Sequence, residues 1–436
     1  MSEPARDIVL QLQRAGHTAY YAGGCVRDKL LGRTAKDYDI ATSARPEQVQ
    51  ELFPRVTDVT GKCFGVVRVL VGGETFEVAT FRQDGVYLDG RRPQSVRFAT
   101  AEEDAQRRDF TVNGLFYDPV AERLIDYVGG EADLRAHLLR AIGRPQDRFG
   151  EDQLRLLRAI RFATRLNFTI EPATWEAIRA GAAGIRTISA ERIRDELNLI
   201  FTTNKPELGL DLLDASGLLA AVLPDVAALH GVEQPPQFHP EGDVFQHIRL
   251  MLSKIETPCL ELALAVLFHD VGKKPTATVD PTGRIRFNGH ESVGMAMAER
   301  IMTGLRYDNK TIQTVCALVQ HHMQFKDVLH MRPSKLKRMM ARPTFLLELE
   351  LHRIDCLSSH GDLENYHFLK QQLETMTPDE IDPAPLVNGH DLLAMGVLPG
   401  KALGAILEAI RVAQLEGTVE TRAQALELAR RLASES

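Results

Sequence analysis

Two aspartates one residue apart, Asp37 and Asp39, close a segment that also carries the Gly23-Gly24 pair and the charged doublet Arg27-Asp28. Tyr20–Ala22 has strand character, a helix is expected through Leu31, and Asp37–Ile40 reads as the next strand. Side chains at i and i+2 of a strand point to one face, so both carboxylates are expected in one cleft. Oxygen ligands of this kind suit Mg²⁺, which binds substrate phosphates beside one or two carboxylates and keeps several waters. A metal pair can assist an attacking hydroxyl and stabilise a leaving oxygen. The glycines let the backbone approach an anion, the following helix offers its first amides, and Arg27 adds a fixed charge. The bland alternative is a solvated acid pair.

At 436 residues the chain exceeds one core and by length is expected to divide into about three domains. With 44% hydrophobic and 25% charged residues it is globular, and no run of about 18 apolar residues suggests a membrane span. The N-terminus has no apolar stretch of the signal-peptide type. Cys25, Cys63, Cys259, Cys316 and Cys356 are scattered and odd in number, as expected of reduced thiols in a cytoplasmic protein. A net charge of -7 argues against nucleic acid only if charge is uniform, and arginines crowd the stretch from Arg82 to Arg165. That crowding fits either a backbone-binding patch or a solubilising surface.

The fold class expected is α+β: a small mixed-sheet head, then an all-α neck, a further helical domain and a helical tail. The boundaries are set at 1–130, 131–228, 229–378 and 379–436. Strands are expected at Gly65–Val71 and Glu74–Phe81, where Glu77 is either a third carboxylate of the cleft or an exposed strand residue. Helices are expected at Asp133–Ile142 and Glu151–Leu166, with Ser189 capping another.

A second chemical centre follows the apolar run Leu262–Phe268. His269-Asp270 at the end of a buried helix needs a partner or a metal, and His247, His290, His321, His322 and Asp355 lie on other expected helices. A mixed nitrogen and oxygen donor set suits Mn, Fe, Co, Ni or Zn better than Mg alone, with Mg kept as an alternative. In order, His247, His269, Asp270 and Asp355 match the metal ligands of the HD phosphohydrolase superfamily, which this section resembles. His290 and His321 match extra histidines of some members, His321 being preferred to its neighbour His322.

Two further motifs, Arg107-Arg108-Asp109 with Asn113, and Glu151-Asp152 followed by Arg155, Arg158 and Arg161, complete a wider pattern. Together the three motifs resemble the bacterial class II CCA tRNA nucleotidyltransferases, which share their head with bacterial poly(A) polymerases. The resemblance implies that Asp37 and Asp39 bind catalytic Mg²⁺, and that Gly24, Arg27 and Arg108 contact the nucleotide with Asp109 near the ribose. It also implies that Asp152 and Arg155 template the base, and that Arg158 and Arg161 contact the nucleotide or hold the template. At i and i+3 of one helix, Asp152 and Arg155 would share a face, or else form only an intrahelical ion pair. The implied partners are tRNA, CTP and ATP, with no membrane and no obligatory protein partner.

The segment Asp84–Pro93 resembles a loop that full CCA-adding enzymes use in switching from C to A, which counts against a C-only enzyme. An A-adding enzyme or a poly(A) polymerase remains an alternative. So does an HD phosphohydrolase with a non-catalytic RNA-binding head. A sugar-nucleotide glycosyltransferase would leave the Arg-Arg-Asp and Glu-Asp-x-x-Arg segments unexplained, and a non-enzymatic RNA chaperone is a further alternative.

Overall fold

The computed structural model describes residues 3–35, 37–58, 65–84, 96–235 and 240–434. The chain divides into two compact units, Met1–Ala227 and Ala228–Ser436. Cys63 and most of the Asp84–Pro93 segment lie outside the described residues. Among the described residues no helix is long and apolar enough to cross a membrane.

The first unit opens with α1 (Glu3–Arg14), β1 (Ala19–Ala22), α2 (Gly24–Leu30), β2 (Asp39–Thr42) and α3 (Pro46–Leu52). There follow β3 (Val56–Asp58), β4 (Val66–Val71), β5 (Glu74–Thr80), β6 (Arg82–Asp84), β7 (Val96–Phe98), α4 (Ala101–Gln106), β8 (Phe116–Asp118) and β9 (Arg123–Ile125). Seven of these strands form one sheet in the order β3-β4-β5-β2-β1-β8-β9, and only the β2–β5 pair is parallel. This is the mixed sheet expected of the head.

Strand alternation decides where chemistry sits. Ile40 and Val78 point into the core beneath α1, with Ile8, Val9, Leu12, Val67 and Val69. Their neighbours Ala41, Ala22, Phe81 and Phe116 form a second cluster with Ala101 and Ala105. With a period of two, Asp39 and Glu77 therefore share the face turned away from the α1 core. Asp37 does not join them on the strand. Asp39 is the last partner of β1, opposite Ala22, and Gly23 (φ 69°) turns the chain into α2, so an earlier residue has nothing to pair with on that side.

The rest of the first unit comprises α5 (Gly130–Arg135), β10 (Leu138–Leu139), α6 (Pro145–Glu151), α7 (Leu154–Leu166), β11 (Thr169–Ile170), α8 (Pro172–Gly181), α9 (Ala190–Phe201), α10 (Pro206–Ala215), α11 (Leu218–Val222) and α12 (Pro224–Ala227). The helix expected over Asp133–Ile142 stops at Arg135. His137 takes a left-handed conformation (φ 51°), and Leu138–Leu139 pairs in parallel with Thr169–Ile170. The helix expected over Glu151–Leu166 is broken at Asp152, which is extended (φ −146°, ψ 106°). An aspartate side chain competes for free backbone amides, and here Asp152 Oδ1 accepts from the Leu154 N–H at 3.0 Å where α7 begins. Ser189 does precede α9, but its side chain makes no capping bond.

The second unit is helical: α13 (Val244–Leu252), α14 (Leu260–Phe268) and α15 (Lys273–Thr276), then the hairpin β12 (Thr278–Val279) and β13 (Ile285–Arg286). It continues with α16 (His290–Gly304), α17 (Asn309–His321), α18 (Pro333–Met340), α19 (Phe345–Ser358) and α20 (Glu364–Thr375). The last segments are α21 (Pro378–Ile381), α22 (Gly389–Ala394), α23 (Lys401–Leu415) and α24 (Arg422–Ser434). The last three pack around their own cluster of Leu392, Ile406, Ile410, Ala425 and Ala429.

Candidate functional site

A cavity of about 520 Å³ opens in the first unit, and its wall carries eight arginines against three aspartates. Such an excess of fixed positive charge suits a polyphosphate. Gly23 and Gly24 form one edge. A Cβ on Gly23 would stand 3.0 Å from Arg108 Nη1, and the positive φ there also favours glycine.

The arginines are held by a buried network. Arg27 donates from Nε and Nη2 to Asp28 Oδ1 at 2.9 and 2.7 Å, and from Nη1 to Asn113 Oδ1 at 2.7 Å. The Asn113 amide donates to Asp109 Oδ1 at 3.1 Å, and Asp109 Oδ2 accepts from Arg158 Nε at 2.9 Å. Arg108 is steadied by Asp104 Oδ2, 3.0 Å from its Nη2, and lies over the Phe116 ring. Burial opposes charge on Asp109, but the Arg158 guanidinium and the bonds from Asn113 and the Phe110 amide outweigh it and hold the carboxyl at about 2. Asn113, Asp104 and Arg192 belong to the site without being marked as such by the sequence pattern. Asn113 lay inside a recognised motif, whereas the other two carried no local signal.

Asp39 lines the cavity, while Asp37 is exposed just ahead of β2. Burial pushes the Asp39 carboxyl above its ordinary range, the charges of Glu77 and Asp37 push the same way, and Arg108 opposes them. A site where carboxylates repel one another is what a bound cation relieves, so these residues fit a divalent ion. Glu77 is also paired with Arg68 at 2.8 Å.

Asp152 and Arg155 both reach the cavity but do not share a helix face or pair with each other. Arg155 Nη1 donates to Glu151 Oε2 at 2.5 Å and to the Arg148 carbonyl at 2.8 Å, whereas Asp152 Oδ2 meets Arg192 Nη2 at 2.7 Å. Arg161 is buried on α7, donates to Glu196 Oε2 of α9 at 2.7 Å, packs on Phe162 and is not among the residues lining the cavity. Its helical phase turns it toward α9, an arrangement that suits holding the template, the second of its two expected roles, better than touching the nucleotide.

The second unit gathers six of the expected donors. His247 lies on α13, His269 and Asp270 follow α14, His290 begins α16, His322 follows α17, and Asp355 lies on α19. His247, His269 and Asp270 offer donor atoms within 4.8 Å of one another, as do Asp270, His290 and His322. Asp355 Oδ1 is 3.1 Å from His247 Nε2.

Three rings are set by backbone carbonyls. His269, His290 and His322 each place Nδ1 against the carbonyl three residues earlier, at 3.0, 2.8 and 2.6 Å. A carbonyl only accepts, so Nδ1 carries the proton and the Nε2 lone pair faces the cluster. His269 Nε2 and both Asp270 oxygens are buried without a well-directed hydrogen bond, although Lys273 Nζ stands 2.7 Å from Asp270 Oδ2. Burial and the neighbouring His269 push the His322 imidazole down to about 3, leaving it neutral as a ligand must be. These residues fit a divalent metal.

His321, preferred over His322 from sequence, faces elsewhere: its Nδ1 is 3.0 Å from Glu348 Oε1. The phase of α17 explains the exchange. Val315, Leu318 and Val319 mark the buried face, and His322 continues it at the i+7 position whereas His321 does not.

Comparison with known proteins agrees with this geometry. Residues 19–140 match the family model for the poly A polymerase head domain, and 167–229 match that for the probable RNA and SrmB-binding site of polymerase A. Residues 291–429 match tRNA nucleotidyltransferase domain 2. The CCA-adding enzyme of Limosilactobacillus reuteri is 43% identical over 217 residues, which is 50% of this chain and 53% of that enzyme. The chain thus spans about half the length of several of the curated relatives it matches. The CCA-adding enzyme of Lactobacillus johnsonii is 31% identical over 423 residues, 97% of this chain and 95% of its own.

Among solved structures, the Bacillus stearothermophilus CCA-adding enzyme in complex with CTP is 28% identical, with a TM-score of 0.76 and 100% of both chains covered. The Thermotoga maritima CCA-adding enzyme complexed with tRNA shares the fold at 20% identity and a TM-score of 0.61, covering 98% of this chain and 94% of its own. With near-complete alignment to a relative above 30% identity, and with its head motifs gathered around one cationic cavity, the chain belongs to the class II CCA-adding enzyme family.

Proposed function

We propose that this chain is a cytoplasmic tRNA nucleotidyltransferase that builds the 3′-terminal CCA from CTP and ATP. The observation that carries this reading is the joining of Asp39, a cationic phosphate cradle and the Asp152/Arg155 pair in one cavity. The four-part division into head, neck, HD-like domain and tail is part of the same reading.

The tRNA 3′-hydroxyl attacks the α-phosphate, and pyrophosphate leaves. Asp37 and Asp39 would hold Mg²⁺, which when bound would supply charge to neutralise the triphosphate and polarise the reacting oxygens. Gly23, Gly24, Arg27 and Arg108 orient the phosphates, Asp109 stands near the ribose, and Arg158 fixes Asp109. Asp152 accepts from the exocyclic amine that C and A share, while Arg155 donates to a ring nitrogen or carbonyl. A tRNA is gripped by shape and phosphate rather than by sequence.

The test is extension of a tRNA that ends before CCA. Addition of three nucleotides supports the proposal, addition of A alone supports the A-adding alternative, and long A tails on unstructured RNA support a poly(A) polymerase. Asp37→Ala and Asp39→Ala are each expected to slow extension by roughly a thousandfold or more without loss of tRNA binding. Normal extension in either variant refutes the metal assignment.

A second activity is favoured by the inward-facing Nε2 atoms of His269, His290 and His322 around Asp270. We infer a metal-dependent phosphoester hydrolase using His247, His269, Asp270, His290, His322 and Asp355, with Mn, Fe, Co, Ni or Zn as the ion. Asp270→Ala is expected to abolish phosphatase activity while sparing extension. Loss of both in a folded variant would overturn the two-site assignment.

A further inference from the structure

Asp152 and Arg155 are positioned by separate partners, and the partner of Asp152 comes from a helix forty residues away. Asp152 Oδ1 accepts from the Leu154 N–H, and Oδ2 accepts from Arg192 Nη2 at 2.7 Å. Each carboxylate oxygen has two lone pairs, so one acceptor site remains on each. Arg192 lines the same cavity, with 21% of its side chain exposed against 15% for Asp152.

Arg192 is itself rigidly mounted. Four residues further along α9, on the same face, Glu196 takes the buried Arg161 of α7 at 2.7 Å. Two ion pairs of opposite polarity, one turn apart, therefore register α9 against the segment that carries Asp152.

We propose that Arg192 is a positioning residue for base selection, holding the Asp152 carboxylate so that its remaining lone pairs meet an exocyclic amine. The assignment rests on the nucleotidyltransferase reading above. Cytosine and adenine present an amine at that position, whereas uracil and guanine present a carbonyl oxygen, which a fixed carboxylate repels. Without Arg192, the Leu154 amide alone leaves Asp152 free to rotate, and the penalty against a carbonyl falls. A guanidinium that served only to bind phosphate would treat all four nucleotides alike.

The experiment measures kcat/KM for CTP and UTP with a tRNA ending before CCA, and for ATP and GTP with a tRNA ending in CC, in the wild-type protein and in Arg192→Ala. The CTP-to-UTP ratio is expected to fall at least about tenfold, mainly through KM for CTP, while inhibition by pyrophosphate stays unchanged. Arg192→Lys is expected to recover part of the ratio, since an ammonium supplies the charge without the planar fork. In an Asp152→Asn background, Arg192→Ala is expected to cause little further change. Thermal melting checks folding, and Arg192→Lys and Arg192→Gln carry the comparison if the alanine variant is unfolded. A ratio kept within about twofold of wild type, or an equal loss for all four nucleotides, overturns the proposal. A wild-type protein that extends tRNA with neither CTP nor ATP sinks the parent reading as well, which separates the two failures.

Discussion

Arg158 reaches from α7 to Asp109, its Nε 2.9 Å from Oδ2, and this pair ties the neck helix to the motif that follows α4. Asp109 is 8% exposed at its side chain while Arg158 is 35% exposed, so the pair is dry on one side only. With Asp109 held at about 2 against an ordinary 3.8, its contribution to stability is fully present above about pH 4 and is lost as pH falls toward 2. The shift corresponds to about 2 kcal/mol, lowered toward about 1 by the exposure of Arg158. Arg158→Leu is expected to remove that increment at pH 7. Burial then pushes the Asp109 carboxyl upward, so the variant gains relative stability on acidification where the wild type loses it. Urea unfolding at pH 3, 5 and 7 reads the sign directly, and parallel pH profiles would contradict it.

The two adjacent histidines at the end of α17 make a second prediction. His322 faces Asp270 and His290, whereas His321 serves Glu348. His322→Ala is expected to weaken Mn²⁺ or Ni²⁺ binding at least about tenfold to a hundredfold, as loss of a ligand or its orienting shell does. His321→Ala is expected to leave affinity within about threefold and to cost about 1 kcal/mol of stability, because Glu348 keeps its bonds to Arg342 and Thr344. Calorimetric metal titration of both variants checks the contrast. A larger loss from His321 would reverse the assignment.

Gly272 joins the His269-Asp270 segment to α16 more closely than any side chain permits. A Cβ there would stand 2.1 Å from the His290 carbonyl oxygen and 2.6 Å from the Gly294 nitrogen. Both are backbone atoms, so the two elements must separate. Gly272→Ala is expected to cost about 1–3 kcal/mol by overpacking and to displace His290 from Asp270. The melting temperature and the affinity for Mn²⁺ should fall together. A stable variant with unchanged affinity would show that the contact is not what holds the cluster.

Much of this was legible because strand alternation and motif order are local. Val66–Val71 and Glu74–Thr80 are paired strands much as their β-branched residues imply, with Gly72-Gly73 turning between them. The approach of Asp39 to Arg108, and of His247 to Asp355, followed from motifs that only a common ancestry would place in order. What failed depended on distant partners. Nothing near Leu138 indicates that Thr169 will pair with it, and nothing near Asp152 indicates Arg192. The i, i+2 spacing of Asp37 and Asp39 implies one strand, yet the strand begins at Asp39 because Gly23 removes the next partner on the adjoining β1. The choice of His322 was recoverable from helix phase, since it continues the buried face of Val315 and Val319.

Arg161 offers the sharpest separation between a brace and a nucleotide contact. Its guanidinium and the Glu196 carboxylate are both mostly buried, 11% and 8% exposed, and the pair joins α7 to α9. Burial pushes Arg161 below its ordinary range and Glu196 above its own, each opposed by the partner's charge. Removing one member therefore strands a buried charge. Arg161→Leu is expected to cost about 3–5 kcal/mol, whereas Arg161→Leu with Glu196→Leu recovers much of that loss, because well-packed apolar residues replace buried pairs at little cost. At a temperature where the double variant stays folded, KM for ATP should remain within about threefold of wild type. A large rise in KM with stability intact would return Arg161 to the nucleotide's contacts and make Glu196 its orienting group.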